Sequence, residues 1–226
     1  MTKSVALELL KQQTDRDRQT LAGPSSLGSA CDACVAYALS NPEQEENYYW
    51  LGATIGTAIH LLLEKRAKGT PNVRLESKVV VGEIPGYGTI RGSMDRYETR
   101  ARILRDWKTT LKKSVPSLKK AYEFPEPQPG EPLTLKEARL KLRGYVGQEH
   151  LYALALHRAG LKPRTLVIEF ICRDGSSDED IFVFDWPFDL AFAELLWARV
   201  MYVYENLNNP KVTFASDPFC TACALR

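Results

Sequence analysis

The chain has 226 residues, 44% of them hydrophobic, and 30 Lys and Arg against 28 Asp and Glu, a formal net charge of +2. That length and apolar fraction allow a full core in one domain spanning residues 1–226. The near balance of charge excludes a protein held to polyanions by its overall field, so any nucleic-acid contact must come from local patches. The opening MTKSVALELLKQQTDRDRQ is too charged for a signal-peptide core, and no apolar run approaches membrane-spanning length, so the expectation is a cytoplasmic protein with no membrane partner. In a reducing compartment the five cysteines read as thiols or metal ligands before disulfides.

Residues 3–21 suggest a first helix, broken at Gly23 and Pro24, so that residues 1–30 form an N-terminal helix and loop. Two alanine-rich helical stretches follow, SACDACVAYALS and WLGATIGTAIHLLLEKRAKG. The second stops at Gly69, with Lys65, Arg66 and Lys68 in its last turn, where the helix dipole favours cations. From Arg74 the period changes to that of strands: RLESKVVVG, GTIRGSMDRYET and ARILRDWKTT, with a turn at Pro85-Gly86 and another near Arg100. Five prolines between residues 115 and 133 predict a mobile loop. Residues 134–159 return to helical spacing, RTLVIEFICRD and DIFVFDWP read as a closing hairpin, and Asp189 to Asn206 is an apolar helix. The order predicts an α/β fold, a mixed central sheet flanked by helices.

Asp106 and Lys108 lie two apart on a strand and so share one face. An acidic-x-Lys triplet alone carries little, because about 1.7 are expected by chance in a chain of this composition and there are two, Glu76-x-Lys78 and Asp106-x-Lys108. The preceding strand carries Asp95 in GSMDR, where Gly92 admits a close neighbour. If those strands pair as a hairpin, Asp95 and Asp106 sit side by side. Two such carboxylates repel unless a cation joins them, and hard oxygen ligands suit Mg²⁺ or Mn²⁺; the competing reading is a solvated strand end with an ordinary salt bridge. His60 and Glu64 share one face of an otherwise apolar helix, and Gln148 and Tyr152 share one face of another. Taken singly, His60 and Tyr152 read as core and Gln148 as surface. Arg100, Arg102, Arg105, Lys108, Lys112, Lys113, Lys119 and Lys120 form a basic run in which Asp106 is the only acid, a candidate phosphate contact or else a solvated face.

Cys31-x-x-Cys34 and Cys220-x-x-Cys223 each let two thiolates grip one metal, and together they complete four-coordination. A disulfide or four idle thiols is the competing reading. Cys172, in the apolar strand LVIEFIC, reads as a small core residue.

In their order and element types, GTAIHLLLE, GSMD, DWKTT, QEHLY and the flanking cysteines resemble the RecB-like nucleases of the PD-(D/E)XK superfamily, especially the CRISPR-associated exonucleases and their phage relatives. The resemblance spans Cys31 to Cys223 and implies a restriction-endonuclease-like core. It implies that His60, Asp95, Asp106 and the Trp107 backbone carbonyl bind Mg²⁺ or Mn²⁺, that Lys108 positions water, and that Gln148 and Tyr152 support the site. Arg105, Lys112 and Lys113 would then contact DNA. The implied activity is exonucleolytic hydrolysis of single-stranded or frayed DNA ends in recombination, repair or replication, in a bacterial, archaeal or phage-infected cell, with proteins of those pathways as candidate partners. A structure-selective endonuclease and a non-catalytic metal-stapled DNA-binding or docking module are the alternatives. The related enzymes hold an iron–sulfur cluster through one upstream and three downstream cysteines. The two-plus-two arrangement here departs from that, so residues 31–34 and 220–223 are expected to form a metal staple that is a 4Fe–4S cluster or, with the same ligands, a Zn²⁺ site.

Overall fold

The computed structural model describes residues 21–40, 50–127, 129–220 and 223; the helix expected over residues 3–21 falls almost wholly outside them. The described elements are helices α1 (Pro24–Leu27), α2 (Asp32–Ser40) and α3 (Trp50–Ala67), strands β1 (Val73–Ile84), β2 (Gly88–Glu98) and β3 (Ile103–Thr110), helices α4 (Val115–Glu123) and α5 (Leu133–Arg158), strands β4 (Thr165–Cys172) and β5 (Ile181–Pro187), and helix α6 (Leu190–Glu205). The five strands form one sheet in the order β1-β2-β3-β4-β5. All neighbours are antiparallel except β3 and β4, which run parallel. A parallel pair needs a long crossover, and α4 with α5 supplies it.

Local chemistry sets the ends of these elements. Gly160, at φ +80, closes α5: its N–H donates to His157 O, and Leu161 N–H reaches back to Leu156 O. The Asp189 side chain caps α6 by accepting from the Phe192 N–H. Between β1 and α5 the core holds Val81, Ile84, Ile90, Leu151 and Ala155, and α6 adds Val200 and Val203. Leu118, Leu135 and Leu142 from α4 and α5 pack on Ile168, Phe170 and Phe184 of the last two strands, and Cys172 is buried there, as its apolar strand predicts.

Two sequence expectations are corrected. Residues 115–133 are not wholly loop, because Val115–Glu123 is a helix with Leu118 and Ala121 buried. Pro116 lies in its first turn, where a missing N–H costs no hydrogen bond. Likewise Gly23-Pro24 does not open a loop but starts the single helical turn of α1.

Candidate active site and thiolate centre

β2 and β3 pair at Glu98–Ile103, Tyr97–Leu104 and Arg96–Arg105, and there the pairing stops. The next two positions are Asp95 and Asp106. Asp95 Oδ2 accepts the Trp107 N–H at 2.7 Å, so a side chain takes the hydrogen bond that neighbouring backbone would otherwise make. The strands therefore part at this point, with two buried acids in the gap.

Lys108 Nζ straddles the Asp106 carboxylate, 3.0 Å from Oδ1 and 2.7 Å from Oδ2. Among the described residues, Oδ2 has this ion contact and no well-directed hydrogen bond. Gln148, from α5, completes the triangle: its Oε1 accepts from Lys108 Nζ at 3.2 Å and its Nε2 donates to Asp106 Oδ1 at 3.4 Å. Burial pushes the Asp106 carboxyl up to about 6; the Lys108 charge opposes this and Asp95 reinforces it. Burial acts against the Lys108 charge, but Asp106 outweighs it and holds the ammonium protonated.

Backbone packing places Gln148. A Cβ on Gly28 would lie 2.3 Å from Gln148 N, and one on Gly147 would lie 2.3 Å from Gly28 O. Gly92, as its place before Asp95 predicts, faces Tyr152, whose Cε1 would be 2.7 Å from an added Cβ.

On the other side of Asp95, His60 Nδ1 of α3 lies 3.3 Å from Asp95 Oδ1. His60, Glu76 and Asp95 each offer one donor atom within 4.8 Å of the others. Glu76 holds φ +41 and stands in β1 between the pairs Leu75–Arg96 and Ser77–Met94, opposite Asp95. Burial and then the Asp95 charge raise its pKa. Glu149, the residue after Gln148, is 1% exposed, and neither of its carboxyl oxygens has a hydrogen-bond partner among the described residues. Burial first, then Asp106, drives its pKa well up. His60 is raised as well: burial works against its charge, but Asp95 prevails. Four carboxyls thus gather around one ammonium and one imidazole. The donors are hard oxygens and a ring nitrogen, and the pocket is short of positive charge, which fits a divalent cation of the Mg²⁺ or Mn²⁺ class.

His60, Asp95, Asp106, Lys108 and Gln148 are therefore brought together. Trp107 touches the site through its N–H, while its indole Nε1 donates to Glu169 Oε2 at 3.1 Å. Tyr152 is buried among Met94, Tyr97 and Leu104, beneath the site. Arg105 is not at the site: it pairs with Glu98 at 2.8 Å and Glu169 at 2.7 Å. On a strand its side chain points to the face opposite Asp106 and Lys108. Nor is the basic run one surface. Arg100 and Arg102 belong to the turn before β3, Lys112 and Lys113 to the turn after it, and Lys112 is paired with Asp180 at 2.8 Å. Lys113 is exposed. Sequence reasoning missed Glu76 and Glu149. Glu76-x-Lys78 passed as a chance triplet, and Glu149 lies inside QEHLY, between residues that drew attention.

The four paired cysteines meet. Cys34 Sγ lies 3.3 Å from Cys220 Sγ and 3.4 Å from Cys223 Sγ, and Cys31 Sγ lies 3.5 Å from Cys223 Sγ. All four are free thiols in which one sulfur each falls within 4.8 Å of the rest. No helix among the described residues is long and apolar enough to cross a membrane.

No family model matches the chain, and no curated protein matches it in sequence. Among solved structures it is similar to an alkaline exonuclease, LHK-Exo, from Laribacter hongkongensis. That match has a TM-score of 0.50 and 12% identity and covers 84% of this chain and 89% of that one. The shared fold is the mixed five-stranded sheet flanked by helices. A phage-related exonuclease from Haemophilus somnus 129PT aligns over 91% of this chain and 87% of its own at 14% identity and a TM-score of 0.45. The protein SSO0001 aligns over 93% and 90%, with 18% identity and a TM-score of 0.47. Identities this low carry the fold alone.

Proposed function

We propose that the protein is an Mg²⁺- or Mn²⁺-dependent deoxyribonuclease, an exonuclease acting on single-stranded or frayed DNA ends. The observation that carries this reading is the gap between β2 and β3, where Asp95 binds the Trp107 N–H while Lys108 and Gln148 hold Asp106. His60, Glu76, Asp95 and Asp106, with the Trp107 carbonyl, would hold the cation. When bound, it polarises the scissile phosphate and lowers the pKa of water.

The protein's own groups divide the remaining work. Lys108, kept cationic by Asp106, stands where it can hold an attacking water or a phosphate oxygen. Gln148 fixes both partners of that pair, so neither spends rotamer freedom when substrate arrives. Tyr152, packed against Gly92, supports the β2 strand that carries Asp95. Lys113 offers a phosphate contact beyond the end of β3. A role in DNA recombination, repair or replication accords with this activity.

The test is digestion of end-labelled linear DNA beside a covalently closed circle, with Mn²⁺ added or withheld. The expected result is Mn²⁺-dependent loss of the linear substrate with the circle intact. Asp106→Asn and Lys108→Ala should each lower the rate by roughly 10³-fold while DNA binding survives. Cleavage of the circle would indicate an endonuclease, and near wild-type cutting by either variant would overturn the assignment.

A further inference from the structure

We propose that Cys31, Cys34, Cys220 and Cys223 bind a single tetrahedral Zn²⁺ ion rather than a four-iron cluster. The sulfur spacing distinguishes the two. Four thiolates ~2.3 Å from one zinc occupy the corners of a tetrahedron with edges of ~3.8 Å. In a 4Fe–4S cluster every cysteine ligates a different iron at a corner of a cube that also holds four sulfides, so the thiolates stand on the order of 6 Å apart. Here the close sulfur pairs are 3.3, 3.4 and 3.5 Å apart, and all four sulfurs fit within 4.8 Å. That space takes one ion and has no room for a cube.

The backbone around the thiols agrees. Each Cys-x-x-Cys is closed into one turn by its own hydrogen bond: Cys34 N–H to Cys31 O at 3.1 Å, and Cys223 N–H to Cys220 O at 3.0 Å. The two grips are thus alike and aim their sulfurs at a common point. The Asp217 N–H donates to Cys31 Sγ at 3.4 Å, a bond that stabilises a thiolate and orients a ligand. Ala33 and Leu140 pack against the centre, and Cys31, Cys34 and Cys220 are buried. Burial, and then the neighbouring thiols, raise the Cys34 pKa far above its usual range.

Such a site would also bear on the nuclease site. The Ala33 N–H donates to Ala215 O, and Arg199 of α6 binds Asp32 Oδ1 and Ser29 O, so the tail, α2 and α6 meet beside the thiols. Ser29 follows Gly28, the residue pressed against Gln148. The zinc would hold the segment against which Gln148 is placed, without entering the chemistry. It would also tie residues far apart in sequence, which restricts the unfolded chain and makes metal affinity part of folding stability.

The experiment is metal and acid-labile sulfide analysis of the full chain, expressed with iron and zinc both supplied and purified anaerobically. The expected result is one zinc per chain, negligible iron and sulfide, and a colourless solution. Exchange into Co²⁺ should then produce the intense visible bands of a tetrahedral thiolate site. Cys172→Ser, outside the centre, should leave those bands unchanged, and Cys31→Ser should abolish them. If Cys31→Ser does not fold, thiol modification of the wild-type protein serves instead, with zinc release expected as the four centre thiols react. A brown protein with about four irons and four sulfides per chain would overturn the proposal, as would one iron without sulfide. Metal-free folded protein with four titratable thiols or a disulfide would overturn it equally. None of these readouts involves DNA cleavage, so their failure is separable from failure of the nuclease reading.

Discussion

Crowding of acids in the active site should make cation binding and pH trade against one another in a measurable way. The perturbation is a change from pH 5 to pH 7.5 in protein dialysed free of Mg²⁺ and Mn²⁺. Burial lifts Asp106 from 3.8 to about 6. A carboxyl whose folded pKa is raised stabilises the fold at low pH and loses that contribution as pH climbs through the folded value. At pH 5, below its folded pKa, Asp106 retains on the order of 1 kcal/mol that is gone by pH 7.5. In a chain of this size that corresponds to roughly 2–4 °C in Tm. Glu76, Glu149 and His60 are raised too and act with the same sign. His150, whose charge burial disfavours, acts oppositely, gaining stability as pH rises. The clean readout is therefore the Tm increment on adding Mn²⁺ at each pH, from which His150 cancels. A cation binds the ionised acids, so the increment should be larger at pH 7.5, by the equivalent of about 1 kcal/mol or more. An increment equal at both pH values, or none at all, would refute the reasoning.

Three further outcomes follow from the same geometry. Gly28→Ala would drive a Cβ to 2.3 Å from Gln148 N, so it should cost about 1–3 kcal/mol in denaturant unfolding and lower the cleavage rate on top of that; wild-type stability and rate would sink the claim that this contact places Gln148. Glu149→Met exchanges an unpartnered buried carboxyl for an apolar side chain of similar volume, and should raise stability at pH 7.5 by about 1–3 kcal/mol. A loss of stability there would mean that Glu149 has a partner in solution. Arg105→Ala should lower stability with DNA affinity unchanged, whereas Lys113→Ala should reduce the slope of log affinity against log salt by about 1; the reverse pattern would return Arg105 to the DNA-binding face.

What the sequence determined by itself was largely what neighbouring residues decide. The change from helical to strand period at Arg74 and the stop at Gly160 are local, and both reappear in the structure. Asp106 and Lys108 share a face because strands alternate, and Gln148 lies one turn from Tyr152 because helices repeat. The same alternation placed Arg105 on the other face, against Glu98 and Glu169, though its position in a basic run suggested otherwise. Pro116 misled because a proline breaks a helix in its interior but not in its first turn.

Only the tertiary structure decided which distant groups share a pocket. Glu76 enters through the β1–β2 register, and Glu149 through the seating of α5 on the sheet. The cysteine spacing suggested a metal site, but a spacing of two intervening residues suits one ion or a cluster equally. The choice depends on how near two remote turns approach, a distance set by the packing of α2, α5 and the tail. Local periodicity limits which way a side chain points; what it meets there is fixed by chain segments that burial, not sequence proximity, brings together.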